Sequence, residues 1–268
     1  MQVRWEHLTP PDFKKLAAEE KLCVLPIGSL ERHGDHIPFG TDAIVSHDIA
    51  VKAAQLEPCV VFPPYWFGQV HEASCFAGSI NFPTDFLCKM LEYVVDEIAR
   101  NGFEKILIVS GHGGNFNWLQ YFIRSQCERD VDYSLYSTFA YGEGRFSRLD
   151  IWETTTGTHA GERETSISMA AIPGTVKMEY QRHQEPVLAR PELAHLGDRL
   201  YSGLGWYAKY PENITGEPSA AKREKGELAL AAAVEDMADI IRTVKADEKV
   251  PELYREFRQR VRDKQRGV

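Results

Sequence analysis

The stretch that most constrains this chain is KILIVSGHGGN, residues 105–115. Its apolar run, Ile106 to Val109, shows no polar alternation, so as a strand it needs cover on both faces, and it breaks at once into glycines. A segment with helical spacing follows from about Phe116 to Glu128. Three other runs read as strands: LCVLPIG (22–28), a short apolar run consistent with burial on both faces, PCVVFPPYWFG (58–68, running into a loop) and YSLYSTFA (133–140). Between them lie helical stretches. Residues 9–19 begin with Thr9 as N-cap and proline in the first turn, and Ala43 to Gln55 form a second helix. Residues 84–101 form a third, with Thr84 as N-cap, an apolar stripe through Phe86, Met90, Tyr93, Val94 and Ile98, and Gly102 as stop. Such alternation predicts an α/β fold, a mostly parallel sheet with helices on both faces. Ligands of such sheets bind beyond the carboxyl ends of the strands, where the loops after residues 28 and 110 would fall.

After residue 140 the pattern loosens into an aromatic, glycine-rich loop to about 158. Helices are then expected near Glu162 and at about 191–201, 219–245 and 250–264. At 268 residues with no repeat or long linker, the whole chain, 1–268, is expected to form a single domain. The helices from about 219 onward would pack on it or on a neighbouring subunit. No apolar run approaches the roughly 20 residues of a membrane span, and the start carries no export signal, so the expectation is a cytoplasmic protein with no membrane partner. A net charge of −8 disfavours nucleic acid as a partner. Five cysteines, odd in number and without C-x-x-C spacing, argue against a disulfide framework and a thiolate zinc site; they read as small core fillers.

Three separated stretches carry chemistry. ERHGDHIPFGTD (31–42) places Glu31, His33, His36 and Asp42 on one strand-end loop. Carboxylate oxygens mixed with imidazole nitrogens suit zinc, manganese or iron, and a shared aspartate can hold two ions roughly 3.5 to 4 Å apart. The plainer alternative is a polar loop with chance histidines. SGHGGN (110–115) sets His112 at the end of the best strand, where Gly113 and Gly114 allow a tight turn; without a Walker lysine or a G-x-G-x-x-G pattern, phosphate binding is disfavoured. THAGERETS (158–166) brings His159 and Glu164 to a helix start. There Thr158 could simply cap the helix, and the acids could complement its dipole, which accounts for Glu162 but leaves His159 unexplained.

Taken together, Glu31, His33, Gly34, His36, Pro38 and Asp42, then Gly111, His112 and Asn115, then His159, Ala160, Gly161, Glu164, Thr165 and Ser166 resemble the creatininase family of metal-dependent amidohydrolases. The likeness covers roughly residues 20–245. It implies a three-layer α/β/α sandwich with a mostly parallel central sheet and two divalent metal ions per subunit, zinc, manganese or iron. Carried across, Glu31, Asp42 and His112 would hold one ion, His33 and Asp42 would hold part of the second, and Asp42 would bridge. Family members that hydrolyse creatinine take a further ligand two residues after the strand-end histidine, where this chain has Gly114. Glu164 is inferred to supply the missing carboxylate, which makes creatinine itself a less suitable substrate.

The activity implied is hydrolysis of a C–N amide bond in a small cyclic or planar substrate by a metal-bridging hydroxide. His159 would donate a proton to the leaving nitrogen or else orient a ligand, and His36 reads as structural. Hydrolysis of a lactone or cyclic sugar derivative is the alternative, and a non-enzymatic metal-binding scaffold a third. Tyr65, Trp66, Phe67, His71, Tyr141 and Trp152 are candidates to shape the pocket, and Arg145 and Arg148 to pair an anionic group of a substrate. The resemblance also implies a homo-oligomer such as a hexamer.

Overall fold

The computed structural model describes residues 1–155, 159–182, 190–196, 200–265 and 267. Four strands, β1 (Leu22–Ile27), β2 (Val60–Val61), β3 (Lys105–Ser110) and β4 (Ser134–Phe139), pair in the order β2–β1–β3–β4, all parallel. Three helices connect them: α2 (Thr41–Leu56) between β1 and β2, α3 (Thr84–Arg100) between β2 and β3, and α4 (Asn115–Ser125) between β3 and β4. Helix α1 (Pro10–Glu20) precedes β1.

Every residue of β1 and β3 is buried, and the pleat sends alternate side chains to opposite cores. Leu22, Val24, Leu107 and Val109 meet α2 and α7 (Arg223–Ala246), whereas Cys23, Leu25, Ile27, Ile106 and Ile108 meet α1, α3 and α4. The unbroken apolar runs in the sequence have this cause, and the result is the expected three-layer α/β/α arrangement. Helix α5 (Glu162–Ala171) lies against α7 so closely that a Cβ at Gly226 would sit 1.9 Å from the Ser166 carbonyl oxygen.

From β1 the chain moves out to β2, then crosses back to β3 on the other side, so the loops leaving β1 and β3 diverge to opposite faces. A crevice opens there, at the switch point of the sheet. Gly28 and Gly111 let the α2 start approach it: a Cβ on Gly111 would lie 2.1 Å from the Asp42 carbonyl, and one on Gly28 would lie 2.2 Å from the Ala43 nitrogen.

Several local expectations need correction. The strand read over 58–68 is regular only at Val60–Val61, because Pro63 and Pro64 have no N–H to donate to a ladder. Pairing resumes once, where the Tyr65 N–H donates to the Pro26 carbonyl (3.0 Å) and the Gly28 N–H donates to the Tyr65 carbonyl (2.9 Å). Thr84 is the first residue of α3 rather than its cap, which is Pro83. Thr9 occupies the cap position of α1, but its hydroxyl donates to Asp12 Oδ2 at 2.6 Å instead of accepting a backbone N–H. The helix expected at 191–201 is a 3-10 segment, Pro191–Leu196, with residues 197–199 outside the described residues, and a short helix not foreseen, α6 (Gly205–Lys209), follows. Of the cysteines, Cys23 and Cys59 are core fillers, whereas Cys75 and Cys127 are exposed.

The last helix, α8 (Lys249–Gln265), runs beside β4, where Arg258 Nη2 donates to the Tyr133 carbonyl at 3.4 Å and Arg262 pairs with Asp130 at 3.0 Å. Its residues Leu253, Phe257 and Val261, spaced by four, remain exposed. Among the described residues, no helix is long and apolar enough to cross a membrane.

Candidate metal centre

The crevice gathers Glu31, His33, Asp42, His112, His159 and Glu164, six of the seven acid and imidazole candidates from the three motifs; His36 is the exception. Glu31 and His33 come from the loop after β1, Asp42 from the first turn of α2, and His112 from the end of β3. His159 and Glu164 come from the start of α5 and the residues before it. All six are buried. Their donor atoms form three overlapping triads, each within 4.8 Å: Glu31–Asp42–His112, His33–Asp42–Glu164 and Glu31–His33–His159.

Asp42 sits between the first two triads. Its Oδ1 lies 3.0 Å from His33 Nε2 and its Oδ2 3.2 Å from His112 Nδ1, and the Ser29 hydroxyl donates to Oδ2 at 2.6 Å. The far nitrogen of each imidazole faces a backbone carbonyl, His33 Nδ1 the Glu31 oxygen (3.0 Å) and His112 Nε2 the Gln69 oxygen (2.8 Å). When those nitrogens carry the protons, the lone pairs of His33 Nε2 and His112 Nδ1 point at carboxylates. A lone pair against a carboxylate is repulsive unless a cation stands between them.

Among the described residues, two buried atoms, Glu31 Oε2 and His33 Nε2, make no well-formed hydrogen bond, although each stands 3.0 Å from a donor atom of the cluster, His112 Nδ1 and Asp42 Oδ1 respectively. Unpaired buried polar atoms are costly, and a cation would satisfy both. The donor set, carboxylate oxygen and imidazole nitrogen without thiolate, fits zinc, manganese or iron(II).

The electrostatics of the chain alone express the same demand for positive charge. Burial opposes ionisation of Glu31, yet the fields of His159, His112 and His33 prevail and hold its carboxyl at about 2. Asp42 is held well below the usual carboxylate range in the same way, against burial, by His33 and His112. Burial lowers the His33 imidazole, but Asp42, Glu164 and Glu31 drive it up to about 10, and His112 is likewise raised by Glu31 and Asp42. Without metal, protons on the imidazoles balance the acids; divalent ions would take their place.

His159 stacks on His33, with ring centroids 4.3 Å apart, and its Nε2 faces the Arg32 carbonyl at 3.1 Å. Its Nδ1 stands 4.0 Å from Glu164 Oε2. Ala160 adopts a left-handed φ of 54° that aims its N–H at Glu164 Oε2 (2.6 Å), a strained conformation for a residue with a Cβ. The N-cap of α5 is Gly161; the cap role considered for Thr158 falls outside the described residues. Glu162 does more than complement the helix dipole, since its buried carboxylate accepts the N–H groups of Glu153 and Thr154 and the Thr154 hydroxyl, and pairs with Lys225. His36 stands apart: its Nε2 is 2.9 Å from the Thr165 hydroxyl, and burial first, then His33, lowers it to about 4.

Gly114 has no room for a side chain. A Cβ there would lie 2.4 Å from His112 Nε2 and 2.8 Å from the Gln69 carbonyl oxygen, so the loop that orients His112 excludes a carboxylate ligand at this position.

Some supporting residues were not foreseen. Asn213, fully buried with a left-handed φ of 51°, donates from Nδ2 to Glu31 Oε1 (2.9 Å) and to the Arg32 carbonyl (2.6 Å). Trp206 Nε1–H in turn donates to Asn213 Oδ1 at 2.6 Å. Above the cluster opens a cleft of about 1370 Å³, walled by Phe139, Tyr141, Phe146, Arg163, Trp206 and residues 200–205 among others. Of the six loop aromatics and histidines considered for the pocket, Tyr141 lines it, and its hydroxyl lies 3.4 Å from Glu164 Oε1. Burial, then Glu164 and Asp42, keep that phenol neutral by raising it far above its ordinary value. Tyr65 belongs to the core, and Phe67 and Trp152 pack against it. Arg145 is taken up by Asp236, Asp239 and Glu235.

The family model described as creatinine amidohydrolase matches residues 6–241. The chain belongs to the creatininase family. It is accordingly a hydrolase, which sets aside the scaffold reading. Among curated relatives, the mycofactocin precursor peptide peptidase of Mycobacterium tuberculosis is 29% identical, covering 83% of this chain and 85% of that protein. The 3-dehydro-scyllo-inosose hydrolase of Thermotoga maritima is 23% identical, covering 90% and 83%. A creatinine amidohydrolase-like crystal structure from Bacteroides fragilis superposes with a TM-score of 0.78 at 27% identity, over 93% of this chain and 99% of that one. Creatininase itself shares the fold, with a TM-score of 0.75 at 20% identity.

Proposed function

We propose that this creatininase-family chain is a two-metal hydrolase that cleaves a C–N amide bond, working in the cytoplasm. The observation that carries the reading is Asp42, whose two carboxylate oxygens face the nitrogens of two different histidines, 3.0 and 3.2 Å away, inside a buried set of acids. Glu31, Asp42 and His112 would hold one divalent ion and His33, Asp42 and Glu164 the other, with zinc and manganese both known in creatininase structures. When bound, such ions supply a water that ionises near neutral pH and a Lewis acid for the carbonyl.

The chain's own groups complete the site. Asn213 fixes Glu31, and the Ala160 N–H fixes Glu164, so the carboxylates are preset rather than recruited. His159, held by stacking on His33 with Nε2 at the Arg32 carbonyl, keeps Nδ1 for a proton that it passes to the leaving nitrogen. Tyr141 keeps its proton and offers an O–H beside Glu164, where negative charge on the substrate oxygen would develop. The reacting amide occupies the cleft floor, and the wall offers room for a substituent, since about 300–1,000 Å³ suffices for most ligands and this cleft holds about 1370 Å³.

A second reading, opening of a lactone or cyclic sugar derivative by the same ionised water, draws support from the inosose hydrolase among the relatives. Metal-reconstituted protein assayed on cyclic amides, formamides, dipeptides and lactones separates the two. Turnover of amides is expected; rapid lactone opening with no amide turned over would reject the first reading. The exposed stripe Leu253, Phe257 and Val261 on α8 supports assembly into a homo-oligomer such as a hexamer.

A further inference from the structure

Two cationic side chains, Arg163 and Lys209, line the described wall of the cleft. Lys209 is engaged within the chain. Arg163 makes no ion pair or hydrogen bond among the described residues, although arginines elsewhere in the molecule find acids readily: Arg32 pairs with Asp35, Arg129 with Asp96, and Arg145 with three carboxylates. Its guanidinium instead rests over the Trp152 ring, 5.6 Å from the centroid, and that ring packs against Phe146 (6.0 Å) on the core. A half-buried guanidinium shelved on an aromatic face is restrained, yet among the described residues none takes up its donors. Arg163 also precedes Glu164 directly, in the first turn of α5, so the free donors and the candidate metal ligand open onto one cleft.

We propose that Arg163 is a substrate-binding residue, and that the substrate is an amide carrying a carboxylate a few bonds from the scissile carbonyl. The inference rests on the hydrolase reading above. A guanidinium fork matches one carboxylate with two parallel N–H···O bonds. Among the described residues Arg163 is the one unpaired cation that lines the cleft, and one guanidinium matches the charge of one carboxylate. Recognition at Arg163 and reaction at the metal cluster would fix both ends of the substrate, which is how a cleft this wide positions one bond for attack.

The test compares the monoamides of malonic, succinic and glutaric acids with the matching diamides, using zinc-loaded wild type, Arg163→Gln and Arg163→Lys. Calorimetry gives the affinities, ammonia release gives turnover, and metal content is measured on every sample. Wild type should bind one of the monoamides at least about tenfold more tightly than its diamide, a difference of one ion-paired hydrogen bond. Arg163→Gln should abolish that preference at unchanged metal content, and Arg163→Lys should retain part of it. If wild type shows no preference at any chain length, or if Arg163→Gln keeps the preference, the proposal is overturned and Arg163 merely covers Trp152. Loss of preference in Arg163→Gln with no ammonia released from any amide upholds the carboxylate site and counts against the hydrolase reading alone.

Discussion

The floor and the far wall of the cleft are built on opposite principles. On the floor, Glu31, His33, Asp42 and His112 are at most 5% exposed, and each is held by a backbone group or a buried side chain. On the wall, Leu200, Tyr201 and Leu204 are 63%, 94% and 66% exposed, and the nearest helix, α6, has five residues. The floor spends sheet, glycine contacts and helix starts on placing a few atoms; the wall offers apolar surface with little to fix it. The proposed reaction and its recognition by Arg163 thus rest on well-held elements, whereas the far wall can tune the fit of a substrate at most.

The largest expected effect comes from breaking the floor at its shared atom pair. Asp42→Asn should lower hydrolysis by at least about a hundredfold, beyond what loss of a supporting group costs, measured as kcat/KM on any amide the wild type turns over. Activity within a few-fold of wild type would show that the floor is not the reacting part. Next comes the support beneath it: Asn213→Ala leaves Glu31 Oε1 without its donor, and metal affinity should fall about 10- to 100-fold in a chelator competition.

A third prediction concerns pH. The His33 imidazole is raised from its ordinary value to about 10 by Asp42, Glu164 and Glu31 against the opposing pull of burial. A group raised on folding contributes stability that is complete below its unfolded value, about 6.5, and fades as pH climbs through the folded one. Chelator-stripped protein should therefore lose melting temperature progressively from about pH 6.5 to 10, whereas metal-loaded protein, in which the imidazole binds as a neutral ligand, should lose much less. Parallel curves for the two forms would contradict a cation shared between His33 and the acids. The smallest effect belongs to the wall. Leu204→Ala should change KM by less than about tenfold and stability by less than about 0.5 kcal/mol, with metal content intact.

This contrast also explains what could be read from the sequence. Glu31, His33 and Asp42 lie within twelve residues, and His112 ends a strand whose apolar run is unmistakable, so both motif and position were visible. The parallel sheet followed from unbroken apolar runs that only burial on both faces explains. Asn213 could not be found, because its contact with Glu31 spans 182 positions and an asparagine among prolines and glycines reads as a turn. Sequence alone does not tell Arg145 from Arg163, since the pairing of Arg145 with acids of α7 and the seat of Arg163 on Trp152 are matters of tertiary structure. β2 is shorter than its sequence suggests because aromatic residues continue past Val61, whereas the two prolines end the hydrogen-bonded ladder.

The central claim is that Asp42 joins two cation sites, and metal counted per chain tests it most directly. After reconstitution and removal of free ions, elemental analysis should find two divalent ions in the wild type, one in Glu164→Gln and none in Asp42→Asn, with all three proteins folded by circular dichroism. A wild type that retains no metal, or an Asp42→Asn protein that still holds two, would contradict the account.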